Sequence, residues 1–299
     1  MGLRASRLSE AKTTTLRRRL AGAGITRVVG VNDGLSAMLA EKHGFGGLWA
    51  SGLAISAAHG VPDASILTMT EFLAAAHVID QASDLPVLAD CDTGFGDVNV
   101  VRRMIREYER AGIAGVCIED KEFPKRNSFS GGQDLADPDE FAAKIRAAKL
   151  TQTDPDFVVI ARIESLIAGA GLDDALARAE YYEEAGADAI LIHSKAAEPD
   201  EVLAFAREWR RRPDPLPLVA VPTTYYSVNR RALEQAGFAM VIYANQALRA
   251  ATRAIDDAFE RMEHSESTAA LESDLASVDA VLELIGMDEL EALPAATGA

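Results

Sequence analysis

Runs of β-branched and other apolar residues alternate with amphipathic stretches of helical length along most of this 299-residue chain. Eight such runs lie at residues 27–33, 47–52, 86–92, 115–120, 157–164, 189–194, 217–222 and 240–245. Helical stretches between them include residues 99–111, 138–150, 172–185 and 199–210. Eight strand-helix units in about 250 residues predict a (β/α)8 barrel of the α/β class. A doubly wound open sheet is the alternative, but no glycine-rich dinucleotide fingerprint follows the first run.

The last part of the chain departs from this repeat. Residues 247–262 predict a helix. Residues 264–277 are polar and rich in serine and predict a hinge, and residues 278–293 place apolar residues at helical spacing. We therefore predict one barrel domain over residues 1–299, in which residues 263–299 are a C-terminal helical extension. A detached apolar helix needs a partner, so exchange of this extension between subunits is a hypothesis.

The composition excludes several classes of function. The formal net charge of −16 repels both nucleic-acid phosphates and anionic lipids, and no basic stripe compensates for it. No apolar run approaches the roughly 18 residues that span a bilayer. The two cysteines, Cys91 and Cys117, each lie in an apolar run, so a disulfide framework is not indicated. We read no targeting signal and expect a cytoplasmic protein that binds a small molecule rather than nucleic acid or a membrane.

Polar side chains recur where the predicted strands end. The residues are Trp49, Ser51, Gly52 and Leu53 at the end of the second run, Asp90 and Asp92 at the end of the third, Glu119 at the end of the fourth, Arg162 and Glu164 at the end of the fifth, and His193 at the end of the sixth. In a barrel of this kind, the carboxyl ends of the strands face the active site. Five strand ends in succession therefore predict one site at the mouth of the barrel.

The carboxylates among these residues predict a metal site. Asp90 and Asp92 are two residues apart on a predicted strand and are expected on one face, and Glu119 ends the adjacent strand. Converging carboxylates repel one another unless a cation neutralises them, and oxygen ligands favour Mg²⁺, or Mn²⁺, over zinc. The plainer alternative is that one aspartate caps a helix while the others pair with lysines. The further carboxylate of Asp63 favours the metal over this alternative.

Arg162 and His193 each allow a structural and a functional interpretation. Arg162 follows the apolar residues 158–161, where an isolated charge would be too costly. Arg162 either forms a structural ion pair with Glu164 or Glu119, or binds a phosphoryl group through its planar guanidinium. His193 is either a satisfied core histidine or a substrate ligand.

The turn after the second run offers backbone amides and the hydroxyl of Ser51. Gly52 would let the backbone approach a substrate carboxylate closely. An ordinary turn beside a buried Trp49 is the alternative. Tyr225, Tyr226 and Asn245 follow later runs and are weaker candidates.

The stretch after the fourth run carries the densest polar chemistry in the chain. From Glu119 to Ser128 it reads EDKEFPKRNS, which combines carboxylates, lysines, an amide and a hydroxyl. That set suits a lid over residues 121–132 that closes on an anionic substrate beside a metal. The stretch closely resembles the gating-loop signature of the phosphoenolpyruvate mutases, within the isocitrate lyase superfamily. Residues 10–14 and 194–195 match the same pattern.

The resemblance covers roughly residues 10–260 and implies a modified barrel with a magnesium-dependent activity. That activity is the interconversion of phosphoenolpyruvate and phosphonopyruvate, which forms a phosphorus–carbon bond for phosphonate biosynthesis. The resemblance implies that Asp90 binds the metal directly, and that Asp63, Asp92 and Glu119 hold metal-bound waters. It places the pyruvyl carboxylate and oxyanion at the turn made by Trp49, Ser51, Gly52 and Leu53.

The same resemblance identifies the residues that bind the phosphoryl group of the substrate. The implied residues are Lys125, Asn127, Ser128, Arg162 and His193. It also implies a homo-oligomer, either a dimer or a tetramer, that assembles through the C-terminal helices.

Asn127 separates the mutases from related enzymes. The sister phosphonopyruvate hydrolases are similar along nearly the whole barrel but typically have threonine where the Lys125–Ser128 segment here has asparagine. The isocitrate and methylisocitrate lyases carry a catalytic cysteine in this loop, which this chain lacks. A carboxyphosphonoenolpyruvate mutase would use much the same site and stays an alternative. A metabolite-binding or assembly module without catalysis is the remaining hypothesis, and it would lack turnover with Mg²⁺.

Overall fold

The computed structural model describes residues 10–288 and 290. All eight predicted strands lie in this part of the chain. They are β1 (Thr26–Val31), β2 (Gly47–Ala50), β3 (Val87–Asp90), β4 (Gly115–Glu119), β5 (Val158–Ile163), β6 (Ala189–Ile192), β7 (Leu218–Ala220) and β8 (Phe238–Tyr243). Each strand pairs in parallel with its neighbour in sequence, and β8 pairs with β1 to close the barrel. The predicted (β/α)8 barrel is therefore confirmed.

Helices follow the strands and surround the barrel. In the described residues they are α1 (Lys12–Ala21), α2 (Gly34–Lys42), α3 (Gly52–Ala58), α4 (Met69–Gln81), α5 (Val98–Arg110), α6 (Pro138–Thr151), α7 (Ser165–Ala168), α8 (Gly171–Glu184), α9 (Asp200–Trp209), α10 (Arg230–Ala236), α11 (Gln246–Glu263) and α12 (Val278–Leu284). Several begin at a side-chain cap. Asp97, for example, accepts hydrogen bonds from the backbone amides of Asn99 and Val100 at the start of α5.

The strand residues alternate between two apolar cores. Val28, Leu88 and Cys117 belong to the cluster inside the barrel, whereas their neighbours belong to the cluster between the strands and the helices. Leu16 and Leu20 of α1 join the inner cluster and are buried. Helix α1 therefore closes the amino-terminal end of the barrel, which leaves the carboxyl end open for a site.

The strands end one or two residues earlier than predicted. The third strand ends at Asp90 rather than at residue 92, and the eighth at Tyr243 rather than at residue 245. The additional predicted residues are mostly polar residues, glycine or proline, which leave the sheet as the chain turns toward the mouth. This shift matters because the candidate site residues are concentrated at these ends.

The C-terminal extension differs in detail from the prediction. Helix α11 closely matches the predicted helix, but the polar segment 264–277 contains a 3₁₀ turn and a buried residue, Leu271, and is therefore more than a hinge. Helix α12 ends at Leu284, and Gly286 adopts a left-handed conformation at φ 81°, a common way to end a helix. The remainder of the predicted helix 278–293 lies partly outside the described residues. Within the described part of the chain, no helix is long and apolar enough to cross a membrane.

Candidate active site

A small cavity of about 50 Å³ lies at the carboxyl ends of the strands. Its lining residues are Trp49, Ser51, Leu53, Asp63, Asp90, Lys125, Asn127, Ser128, Phe129, Arg162, His193, Val221, Thr223, Ala244 and Asn245. Of the residues to which the resemblance assigns a role, all but Gly52, Asp92 and Glu119 line it, and each of these three contacts a residue that does. The cavity has room for only a few water molecules, so the surrounding side chains leave little free space at the mouth.

A larger groove of about 630 Å³ lies at the opposite end of the barrel. It is lined by residues near the start of α1, the end of α5 and the segments before β4 and β5. Lys12 in this groove already donates to the Asp80 carboxylate and to two backbone carbonyls. The groove is far from the strand ends that carry the predicted chemistry, so the smaller cavity is the better candidate for an active site.

Asp90 occupies the last position of β3 and is held by the start of α3. The Gly52 amide donates to Asp90 Oδ2 at 3.2 Å. A Cβ atom at position 52 would lie 2.9 Å from the same oxygen, so this close approach requires glycine. Burial and the nearby charges of Asp92 and Glu119 raise the pKa of Asp90 to about 7 despite the opposing cations Lys125 and Arg162. Such a carboxylate would be stabilised by a further cation.

The side chain of Asp92 is not oriented by strand β3, as was predicted, but by the turn that follows it. It lies beyond the end of β3 and has a left-handed backbone conformation at φ 47°, so strand alternation does not orient its side chain. The side chain instead accepts a hydrogen bond from Ser65 Oγ at 3.1 Å and pairs with Lys125 at 3.0 Å. The prediction that the two aspartates share a strand face was therefore wrong, although both lie near Lys125.

Lys125 brings a positive charge from the loop into this acidic region. Its Nζ lies 2.7 Å from Asp63 Oδ1 and 3.0 Å from Asp92 Oδ1, and its side chain is buried. Burial alone would lower the pKa of Lys125, but the surrounding carboxylates outweigh it and raise that pKa well above its usual value. The lysine pairing considered as a plainer alternative is thus present, and Asp97 rather than Asp90 or Asp92 caps the next helix.

The loop at residues 121–132 lies closed over the cavity. Asn127 Nδ2 donates to Asp63 Oδ2 at 2.8 Å, and Ser128 Oγ donates to Glu164 Oε2 at 2.8 Å. The Phe129 ring packs edge-on against the His193 ring, with 6.1 Å between centroids. These contacts join the loop to three different parts of the barrel mouth, so the loop covers the cavity, as a lid would.

Arg162, His193 and Glu164 form one buried network on β5 and β6. Glu164 Oε1 lies 2.5 Å from Arg162 Nε and 2.8 Å from His193 Nδ1. Arg162 Nη2 also lies 2.9 Å from His193 Nδ1, 3.0 Å from Ser128 Oγ and 3.3 Å from Glu119 Oε2. The structural bridges considered for Arg162 are therefore present, yet both Arg162 and His193 also line the cavity.

The charges in this network set the protonation states. Burial would raise the pKa of Glu164, but Arg162 and His193 outweigh it, so this pKa lies well below its usual value. Burial, together with Arg162, lowers the pKa of His193, whereas Glu164 opposes this shift. The network therefore presents a neutral imidazole and a guanidinium to the cavity.

The residues at this mouth fit a hard divalent cation held mainly through water. Asp63 Oδ1, Asp92 Oδ1 and Glu119 Oε1 are buried, and the nearest lysine ammonium lies 2.7 Å, 3.0 Å and 3.6 Å from them, respectively. Among the described residues no three His, Cys, Asp or Glu side chains are arranged to bind a metal directly. Mg²⁺ keeps several waters and needs only one or two direct carboxylates, so carboxylates that surround Asp90 without converging on one point suit its water shell.

Several residues of the site escaped the sequence-based prediction or received too little weight, and Phe129 and Thr223, which line the cavity, are among those not predicted. Glu164 was considered only as a partner of Arg162, and Lys121 only as part of the lid. Asn245 was ranked low, but its Oδ1 is buried at the cavity without a hydrogen-bond partner. The signal for Glu164 was its position two residues after Arg162, whereas no sequence pattern showed that Lys121 points inward. Tyr225 is buried, Tyr226 is 80% exposed, and neither lines the cavity.

Comparison with known proteins agrees with this geometry. The sequence profile of the family described as Phosphoenolpyruvate phosphomutase matches residues 16–263. A phosphoenolpyruvate phosphomutase from Tetrahymena pyriformis is 45% identical over 285 residues, which cover 95% of this chain and 94% of the relative. The crystal structure of a phosphoenolpyruvate phosphomutase from Streptomyces platensis subsp. rosaceus matches with a TM-score of 0.93 and 49% identity, over 96% of this chain and 99% of that chain.

A related hydrolase is almost as similar. The crystal structure of a phosphonopyruvate hydrolase in complex with oxalate and Mg²⁺ matches with a TM-score of 0.89 and 40% identity, over 96% of this chain and 99% of that chain. The overall fold is thus shared with both of these proteins. This chain belongs to the phosphoenolpyruvate phosphomutase family, and the resemblance seen in its sequence is confirmed. Overall similarity does not by itself separate a mutase from a hydrolase, so the loop residues must do so.

Proposed function

We propose that this protein is a phosphomutase that interconverts phosphoenolpyruvate and phosphonopyruvate. The phosphoryl group leaves the enol oxygen and forms a bond to the methylene carbon of the same pyruvyl skeleton. One phosphorus–oxygen bond breaks and one phosphorus–carbon bond forms, so no proton, oxidant or second substrate is consumed. Support comes from membership in the family and from a cavity that brings carboxylates, cations and an amide together.

The pyruvyl half of the substrate is assigned to the β2 and β3 side of the cavity. Ser51 and Leu53 line that side, and Gly52 holds Asp90 against it. Asp90 would bind Mg²⁺, or Mn²⁺, directly, while Asp63, Asp92 and Glu119 would hold its waters. The bound cation would supply positive charge that stabilises the enolate oxygen. Trp49 is buried beneath this half and gives it an apolar wall.

The phosphoryl half is assigned to the loop and to β5 and β6. Arg162 can present its planar guanidinium, and Lys125 and Asn127 can add two donors from above. The Ser128 hydroxyl would add a third donor by turning its proton from Glu164 to the phosphoryl group. His193 lies beneath Phe129 at the same end. A loosely bonded phosphoryl in transit would react with any water beside it, so the lid must exclude solvent during the transfer. The small volume of the cavity and the contacts of the loop across it suit that requirement.

The observation that carries the proposal is the position of Asn127. It lies in the loop at the cavity, bonded to Asp63, in the motif that distinguishes mutases from the sister hydrolases. Neither cysteine lines the cavity, since Cys91 and Cys117 are buried in the cores of the barrel, so the cysteine-dependent lyase chemistry is disfavoured. A carboxyphosphonoenolpyruvate substrate would occupy the same groups and is the alternative within the mutases.

The test is ³¹P NMR of the protein with phosphonopyruvate and Mg²⁺. Growth of a phosphoenolpyruvate signal as phosphonopyruvate disappears is the expected result. Inorganic phosphate as the main product would identify a phosphonopyruvate hydrolase. An unchanged spectrum would rule out both activities and leave other 2-oxo acids, the lyase branch or a binding module. A parallel sample with chelator in place of Mg²⁺ should show no conversion.

A further inference from the structure

Lys121 is a buried cation at the base of the loop whose role the proposed reaction does not yet include. Its side chain is only 2% exposed. The backbone at Lys121 pairs with Leu135 across the base of the loop, so the lysine is fixed where β4 gives way to the lid. From there the side chain extends into the barrel mouth rather than into solvent, where lysine is usually found.

The three protons of the Lys121 ammonium have three close acceptors. Nζ donates to the Arg126 carbonyl at 3.0 Å and to Ser128 Oγ at 2.7 Å, and it lies 3.1 Å from Glu164 Oε2. Two of these acceptors belong to the loop and one to the barrel. The loop must therefore be closed for this buried charge to be fully paired, and an unpaired buried ammonium is costly.

Glu164 connects Lys121 to the groups assigned to the phosphoryl side. Its carboxylate, fully buried, contacts Arg162, His193 and Ser128 as well as Lys121. Lys121 lies between this carboxylate and the loop, and it shares Ser128 Oγ with Arg162. Loss of the lysine would remove two of the loop's bonds and leave Glu164 with fewer cations, without removing any group that lines the cavity.

We propose that Lys121 is a positioning residue that couples closure of the lid to the alignment of Ser128 and Glu164 in the phosphoryl site. This inference rests on the proposed mutase function, since its consequence is the exclusion of water during phosphoryl transfer. When the lid closes, Lys121 gains two acceptors in the loop, and the same bonds place Ser128 over Arg162. Closure and correct placement therefore occur together.

The test compares Lys121→Met with Lys149→Met. Lys149 lies on α6, pairs with Asp188 at 2.8 Å and is remote from the cavity, so it controls for loss of a paired lysine. With phosphonopyruvate and Mg²⁺, Lys121→Met should lower kcat by about tenfold or more and should release a larger fraction of inorganic phosphate than the wild type. Lys121→Arg should recover part of the loss in kcat, because it restores a cation.

Hydrogen exchange gives a readout that does not depend on the reaction. With oxalate and Mg²⁺ bound, the amides of residues 122–133 should exchange faster in Lys121→Met than in Lys149→Met, while the amides of the barrel strands stay equally protected. Equal exchange in the loop, or an unchanged share of phosphate, would overturn the proposal. If the wild type forms no phosphoenolpyruvate, the mutase function fails, yet the exchange comparison still decides whether Lys121 holds the lid.

Discussion

At the scale of single residues, Asn127 offers the sharpest test of the assigned chemistry. Its side chain uses one amide proton on Asp63 and has a second available at the cavity. We predict that Asn127→Ala lowers kcat/KM for phosphonopyruvate by about 100-fold or more, since it removes a donor to charge that develops in transfer. Steady-state kinetics would measure this, and thermal unfolding should show a nearly unchanged Tm because Asn127 lies in the loop, outside both apolar cores.

Arg126→Ala is the matched control for that variant. Arg126 neighbours Asn127 in the loop, but its guanidinium is exposed and bonds only the Gly132 carbonyl, outside the cavity. Its loss should change kcat/KM by no more than a few-fold. Equal losses in the two variants would mean that loop integrity, rather than the Asn127 amide, limits the reaction.

Asp90 predicts a pH dependence for metal binding. Its pKa of about 7 means that the folded, metal-free protein carries a proton on this carboxyl in mildly acid solution. A cation must displace that proton, so Mg²⁺ affinity should be constant well above pH 7 and fall about tenfold per pH unit below it. Titration calorimetry in buffers of different ionisation enthalpy should detect the released proton at pH 6 but not at pH 8.5. A flat affinity across this range would show that Asp90 is not the titrating ligand.

At the scale of elements, the contact of β1 with the segment after β8 permits only glycine at position 30. A Cβ atom on Gly30 would lie 1.9 Å from the Ala244 carbonyl oxygen, a contact that requires the backbone to move. We predict that Gly30→Ala lowers the free energy of unfolding by about 1–3 kcal/mol through this overpacking. Urea denaturation would measure the loss, and Gly131→Ala, which meets nothing within 4 Å, is the control. Equal stability of the two variants would contradict the close contact.

The positions of the strands could be predicted from the sequence, whereas the directions of some side chains could not. The eight strands could be located because buried parallel strands are continuous apolar runs, and the polar residues after them identified the mouth. The orientation of Asp92 could not be predicted, because it depends on a left-handed turn rather than on strand alternation. The inward direction of Lys121 depends on acceptors far away in sequence, such as Glu164, and so has no local signal.

At the scale of the whole molecule, the C-terminal helices expose an apolar surface. Helix α11 has no buried residue over its 18 residues, and it leaves Ile255 52% and Phe259 66% exposed. On α12, Val278 is 74% exposed. A helix with an apolar face normally buries it against another element. This surface supports the prediction of a dimer or tetramer that forms through these helices, with or without exchange of α12.

The prediction can be tested by light scattering after size-exclusion chromatography. The wild type should have the mass of two or four chains, and Ile255→Asp combined with Phe259→Asp should shift it toward a single chain by placing charges in the contact. Leu150→Asp is the control, because Leu150 is 87% exposed on α6, away from α11 and α12. A wild type with the mass of one chain would make the predicted assembly wrong.

The base and tip of the lid are both bonded within the loop itself. The Glu122 amide donates to the Asp134 carbonyl at 3.0 Å, and Gln133 Nε2 donates to the Asn127 carbonyl at 2.9 Å. Ordering a free segment costs about 1–2 kcal/mol of conformational entropy per residue, a cost that a disordered lid would meet at each closure. A lid that keeps these bonds while open loses most of this conformational entropy once, when the protein folds, and not again at each closure. Binding energy from the substrate is then left for holding the transferring group.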